Sequence, residues 1–238
     1  MSRLSLPLVL LLAAVPAFAA PIPKSAPKDS ISLKDQINVK LDENLHSEAY
    51  ANNNLKAFKA GAQKLEGITY EIGEGVVQLG SSIVKEKPEK VEGIKVGRTA
   101  AKLQFLQGTG YSGTDGAVIG KYVVHYADKS TVDIEIVYGK HVVDWWAYPD
   151  KPAPTDAKVA WEGDNEAAKE FKAKIKLYQM EWTNPNPEKE IVSLDFVATD
   201  IAQPSAPFCV AITVEAAKAE AKKDDKKEKD EKKEEKKP

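Results

Sequence analysis

Residues 31–215 predict an all-β protein, a single antiparallel β-sandwich, on three observations. Apolar residues recur at every second position through the middle of the chain, the period at which successive strand side chains point to opposite faces. Glycine and proline clusters interrupt these stretches at short intervals, and polar segments of hairpin length join them. The single helical pattern is short, over residues 165–171. About ten short strands so spaced belong to a sandwich or barrel, and no linker or internal repeat divides them.

The first strands are predicted over residues 67–72, 76–79, 93–96 and 101–106, with Gly73-Glu74-Gly75 and Gly108-Thr109-Gly110 read as turns. Residues 121–127 place Tyr122, Val124 and Tyr126 on one face and His125 on the other. Residues 132–138 set Val132, Ile134 and Ile136 against Asp133 and Glu135, so both stretches are half-buried strands. Between them, Ala127-Asp128-Lys129-Ser130 has the chemistry of a hairpin turn. Strands over 158–161, 174–182, 190–198 and 208–215 complete the set, and Asn184-Pro185-Asn186-Pro187 and Gln203-Pro204-Ser205-Ala206-Pro207 separate the last three.

The two ends read differently from the middle. Residues 1–19 carry Arg3, then an apolar run, then Ala17-Phe18-Ala19, the pattern of a secretory signal peptide with a small-x-small cleavage site. The run is too short for the roughly 20 residues of a bilayer span, so no transmembrane segment is expected and the location is secreted or periplasmic. Residues 20–30 form an N-terminal extension. Residues 216–238 are a Lys/Glu-rich tail, with ten lysines against eight acids from Lys218 onward, expected to be disordered or helical and to add nothing to fold stability.

Charge and cysteine content exclude whole classes. Setting aside Arg3 and the ten tail lysines leaves 23 of 34 basic residues, and setting aside the eight tail acids leaves 28 of 36 acidic ones. A mildly acidic folded part argues against nucleic acid as a partner. Cys209 is alone, so no intrachain disulfide is available, and its strand context makes it a small packed hydrophobe. His46, His125 and His141 lack zinc spacing, and no nucleophile elbow or phosphate loop occurs. Asp133 and Glu135 read as a solvated stripe. The expectation is a protein without catalytic residues, metal or cofactor.

Asp144-Trp145-Trp146-Ala147-Tyr148 raises the sharpest question, because adjacent residues on a regular strand point to opposite faces and cannot share one core. Pro149, Pro152 and Pro154 follow, so the chain leaves the sheet here. Sugar recognition stacks aromatic rings on a pyranose face and satisfies its hydroxyls with carboxylates and amides. Asp144, Trp145, Trp146 and Tyr148 supply both groups, and Trp161 in Trp161-Glu162-Gly163-Asp164-Asn165 offers a further rim aromatic. The alternative is structural: the tryptophans close the core and Asp144 accepts backbone hydrogen bonds in a turn. His46, Asn52, Asn53 and Asn54 read as a polar turn, and Trp182 and Asn184 as a strand end.

The runs GVVQLGS, VEGIKVGRTAAKLQFL, GKYVVHYADKSTVDIEIVYGKHVVDWW, KVAWEG, YQMEWTNPNPEKEIVSLDF and APFCVAITVE resemble a domain of secreted planctomycete-type bacterial proteins. That domain is similar to galactose-binding-like jelly-roll modules, and DWW and EWTNPNP are its most specific blocks. Its pattern more often has Gly where Lys129 stands. The resemblance implies a jelly roll with a non-catalytic role, carbohydrate binding foremost. The competing expectation is a cell-envelope interaction or structural domain whose partner is an envelope protein.

Overall fold

The computed structural model describes residues 27–46, 49–199 and 201–216. The expected signal peptide, most of the N-terminal extension and nearly all of the charged tail lie outside these residues. In chain order the elements are β1 (Ser30–Ile31), β2 (Val39–Lys40), β3 (Gly61–Leu65), β4 (Ile68–Ile72), β5 (Gly75–Gln78), β6 (Lys90–Thr99), β7 (Lys102–Gly110), β8 (Val118–Tyr126), β9 (Thr131–Val137), β10 (Trp146–Ala147), β11 (Lys158–Gly163), α1 (Glu166–Glu170), β12 (Lys174–Thr183), β13 (Glu190–Ala198) and β14 (Ala206–Glu215). The ladders between these strands are antiparallel.

One sheet runs β10-β12-β7-β14-β5-β2, with β1 also on β14 and β11 also on β12. A second runs β6-β13-β8-β9, and β3 and β4 form a hairpin of their own. The two larger sheets enclose the main core, as a β-sandwich requires. Its centre is a stack of three rings, Phe105 of β7 on Tyr122 of β8 at 4.2 Å and Tyr122 on Phe196 of β13 at 4.7 Å. The Tyr122 hydroxyl donates to Gln107 Oε1 at 3.1 Å, so burying it leaves that polar atom satisfied. The period-two reading holds here: Tyr122, Val124 and Tyr126 are buried, and His125 faces outward onto Asp195 at 3.0 Å.

The larger sheet is covered on its other face as well, by a second apolar cluster. Residues 39–46 and 49–60 cross that face as a strap with Leu45, Leu55 and Phe58 buried, and the β3-β4 hairpin and α1 complete the layer. Double coverage explains why β14 is apolar along almost its whole length. Cys209, Ile212 and Val214 face the sandwich core, and Phe208, Val210 and Ala211 face the strap. A register shift between Cys209 and Ala211 puts two successive residues on the strap side. Burial pushes the Cys209 thiol up to about 12, so it stays protonated and packs as a hydrophobe.

The turn reading of the glycines fails at the end of β7. Gly108-Thr109-Gly110 is the end of β7 rather than a turn. The glycines are there for space: a Cβ on Gly108 would lie 2.5 Å from the Phe208 ring, and one on Gly110 2.3 Å from the His46 ring. The expected hairpin between β8 and β9 is present, and Lys129 takes the left-handed conformation (φ 70°) that a glycine would adopt freely.

Candidate functional site

The site originates in a split in the larger sheet. β7 pairs with β12 only as far as Gln107 opposite Tyr178, although β7 runs on to Gly110 and β12 begins at Lys174. Residues 144–147 enter the gap. Trp145 N–H donates to the Thr109 carbonyl at 2.9 Å, Lys176 N–H donates to the Trp145 carbonyl at 2.8 Å, and Trp146 pairs with Ile175. β11 pairs along β12 through Val159–Tyr178 and Gly163–Ile175, so β10 takes over from β7 on the opposite edge of β12. Asp144 turns the chain into the gap by accepting Trp146 N–H on Oδ1 at 3.0 Å, the two-residue reach of an Asx turn. Because that turn breaks the strand period, both tryptophans reach the strap-side layer.

A cleft of about 130 Å³ opens where the strands part. Asp144, Trp145 and Trp146 form one wall, His46, Tyr50 and Asn53 of the strap the other, and Gly110 and Tyr111 close the end of β7. Asn53 ties the walls together: its Oδ1 accepts Trp146 Nε1–H at 2.9 Å and Asn165 Nδ2–H at 3.2 Å, and its Nδ2 donates to the Leu45 carbonyl. Asn165 also caps α1, accepting Ala168 N–H at 2.7 Å, so helix, strap and β10 share one amide network. Trp146 is half-buried, with the rings of Tyr50 and Phe171 at 5.5 and 5.3 Å. Tyr50 and Phe171 are themselves 38% and 46% exposed; Tyr50 lines the cleft with Trp146, and Phe171 packs on both rings beside it.

Two titratable groups in the cleft are displaced in opposite directions. Burial raises the Asp144 carboxyl to about 6, against hydrogen bonds from Trp146 N–H and the Ser112 side chain that favour the carboxylate. Burial lowers His46 to about 3, so its ring is neutral at physiological pH. Its Nε2 lies 3.2 Å from the Ala206 carbonyl, which can only accept, so the proton sits on Nε2. Nδ1 is then a buried lone pair with no hydrogen-bond partner among the described residues. Groups held off their ordinary pKa cluster at functional sites, and here a carboxyl group whose ionisation burial opposes shares a cleft with a neutral imidazole. Among the described residues no three His, Cys, Asp or Glu side chains are grouped to hold a metal ion.

The five residues singled out in the sequence separate. Asp144 and Trp146 line the cleft. Trp145 lines it from beneath, 2% exposed and packed on His46 and Phe208, so it supports the site and offers no stacking face. Tyr148 is half-buried and lines a neighbouring cleft. Trp161 packs on Phe58 of the strap at 4.8 Å and is not among the residues lining either cleft. Tyr50, Asn53 and Tyr111 join the site, and His46 and Asn53 do so from a stretch that read as a mere turn. No family model matches the chain, and no curated protein matches it.

Proposed function

We propose that this protein is an exported, non-catalytic binding module whose ligand is a carbohydrate, held at the cleft between β10 and the strap. One observation carries the reading: the half-buried Trp146, flanked by the exposed Tyr50 and Phe171, shares a cleft with the Asp144 carboxylate and the Asn53 amide. Rings of that kind cover the apolar face of a pyranose, and a carboxylate takes two of its hydroxyls. The walls are preorganised by the Asn53 network, which lowers the ordering cost of binding. Among the described residues the cleft has one carboxyl group and no partner acid beside it, whereas glycoside hydrolysis uses two. The antiparallel sandwich and the DWW and EWTNPNP blocks are in keeping with a galactose-binding-like jelly roll, and the leader-like residues 1–19 with export. The second reading, docking of an envelope protein, is favoured by the exposure of Tyr50 at the cleft and of Phe171 packed against it.

A glycan array followed by intrinsic-fluorescence titration tests the proposal. Trp146→Ala should abolish binding of the saccharide that wild type selects, and Trp161→Phe should leave it intact. Failure of wild type to bind any saccharide, with capture of an envelope protein that Trp146→Ala loses, would reject carbohydrate in favour of the second reading.

A further inference from the structure

Beside the aromatic cleft lies a second and larger one, of about 480 Å³, within the size range of ligand sites. The two are joined through β10: Trp146 borders the first, and Ala147 and Tyr148, next in the chain, border the second. Phe171, whose ring touches Trp146, sits between Lys169 and Lys172 of the second cleft. Four lysines line that cleft, Lys169, Lys172, Lys174 and Lys176, against two acids, Glu162 and Asp164. Both acids are already engaged, Asp164 with Lys174 at 2.8 Å and Glu162 with Lys176 at 3.3 Å. Lys169 and Lys172 are exposed and have no carboxylate within 4.0 Å among the described residues. The cleft therefore carries a local surplus of two positive charges on a folded part that is acidic as a whole.

The backbone at Lys172 adds an independent observation. Lys172 has φ 58°, the left-handed conformation at the end of a helix where glycine is the ordinary occupant. The reverse bond that goes with it is present, Ala173 N–H donating to the Ala168 carbonyl at 2.9 Å. A lysine there costs backbone energy that glycine would not, and what it supplies is a cation at the cleft wall.

We propose that the carbohydrate is anionic, with a sugar ring against Trp146 and Tyr50 and a carboxylate or sulfate on the same chain paired with Lys169 and Lys172. This rests on the carbohydrate reading of the first cleft and adds the charge of the ligand to it. Lysine ammonium groups meet carboxylate and sulfate alike as point charges, so the anion's identity is left to the experiment.

The test titrates the full protein with three probes, polygalacturonate for carboxylate, dextran sulfate for sulfate and dextran as the neutral control, at low and at physiological salt. Wild type should prefer one or both anionic polymers to dextran by tenfold or more, and the preference should shrink as salt rises. Lys169→Gln with Lys172→Gln should weaken the preferred anionic polymer at least fivefold, whereas Lys64→Gln with Lys95→Gln, the same charge change on exposed strand positions elsewhere, should change it less than twofold. Lys172→Gly should keep or raise the melting temperature and still weaken binding, which a structural role for Lys172 would not produce. Equal binding of dextran and the anionic polymers, unaffected by the lysine changes, would overturn this proposal and leave the carbohydrate reading standing. Absence of binding to all carbohydrates would overturn both. Binding abolished equally by either pair of lysine changes would reduce the effect to overall charge and overturn the assignment to this cleft.

Discussion

Asp144→Asn should make the protein more stable and less functional, and the gain should depend on pH. In the folded protein the carboxyl ionises at about 6 instead of 3.8, because burial opposes its charge. The gap corresponds to about 3 kcal/mol at about 1.4 kcal/mol per decade of protonation equilibrium, with ionised Asp144 on the unfavourable side. Since the folded value is the higher one, the folded protein binds more protons than the unfolded chain between about pH 4 and 6. Wild type therefore loses this contribution as pH rises through that window, and the loss is complete above it. Asparagine keeps an Oδ1 acceptor for Trp146 N–H and is never charged. At pH 7.5 it should recover part of the 3 kcal/mol, about 1–2 kcal/mol once burial of its own amide is counted. For a domain of this size that is a rise in melting temperature of about 2–8 °C, falling towards zero near pH 4. Thermal unfolding of both proteins between pH 4 and 8 measures it directly. His46 titrates in both and cancels in the difference. A variant that is destabilised at pH 7.5, or stabilised by the same amount at pH 4 and 7.5, would refute the reasoning. Saccharide binding should fall alongside the gain in stability, the trade expected where a residue is kept for function.

Three further outcomes follow from single contacts. Gly110→Ala drives a methyl group into the His46 ring and should lower stability by about 1–3 kcal/mol in denaturant titration, with loss of ligand binding because the ring lines one wall of the cleft. Trp145→Ala empties a site packed by His46 and Phe208, and urea unfolding should show a cost of about 3–5 kcal/mol. Lys129→Gly relieves the left-handed turn between β8 and β9 and should raise stability by about 0.5–1 kcal/mol, read as a small upward shift in melting temperature with binding unchanged.

What the sequence revealed, and what it hid, follows from which interactions are local. Alternation placed β8 and β9 on their correct faces, and the hairpin turn between them was legible because its chemistry lies within four residues. β3 escaped notice because Gly61-Ala62-Gln63-Lys64-Leu65 has no β-branched or aromatic residue. It is a strand because Glu66 and Gly67, both at positive φ, fold it back on β4. Gly108 and Gly110 looked like turn residues because the rings that need their space, Phe208 and His46, lie far away in the chain. The same limit applies to the site. Asp144 and Trp146 stood out through their own composition, whereas Asn53 matters through bonds to Trp146 and Asn165, 93 and 112 residues away. Trp145 and Trp161 were indistinguishable from Trp146 by residue type. The strap across the second face of the sheet, itself without a strand pattern, sets what each ring meets: His46 packs on Trp145, Asn53 holds the Trp146 indole at the cleft, and Phe58 packs on Trp161.

The indole N–H resonances of a ¹⁵N-labelled sample offer the most direct test of the site, because the chain has four tryptophans and each reports its own surroundings. Trp146→Phe assigns the Trp146 signal, and Trp161→Phe that of Trp161. Titration with the saccharide chosen on the array should shift the Trp146 indole, whose N–H is held by Asn53 at the wall of the cleft, and leave those of Trp161 and Trp182 in place. A saccharide that binds while the Trp146 signal stays fixed, or that moves the Trp161 signal instead, would contradict the placement of the site between β10 and the strap.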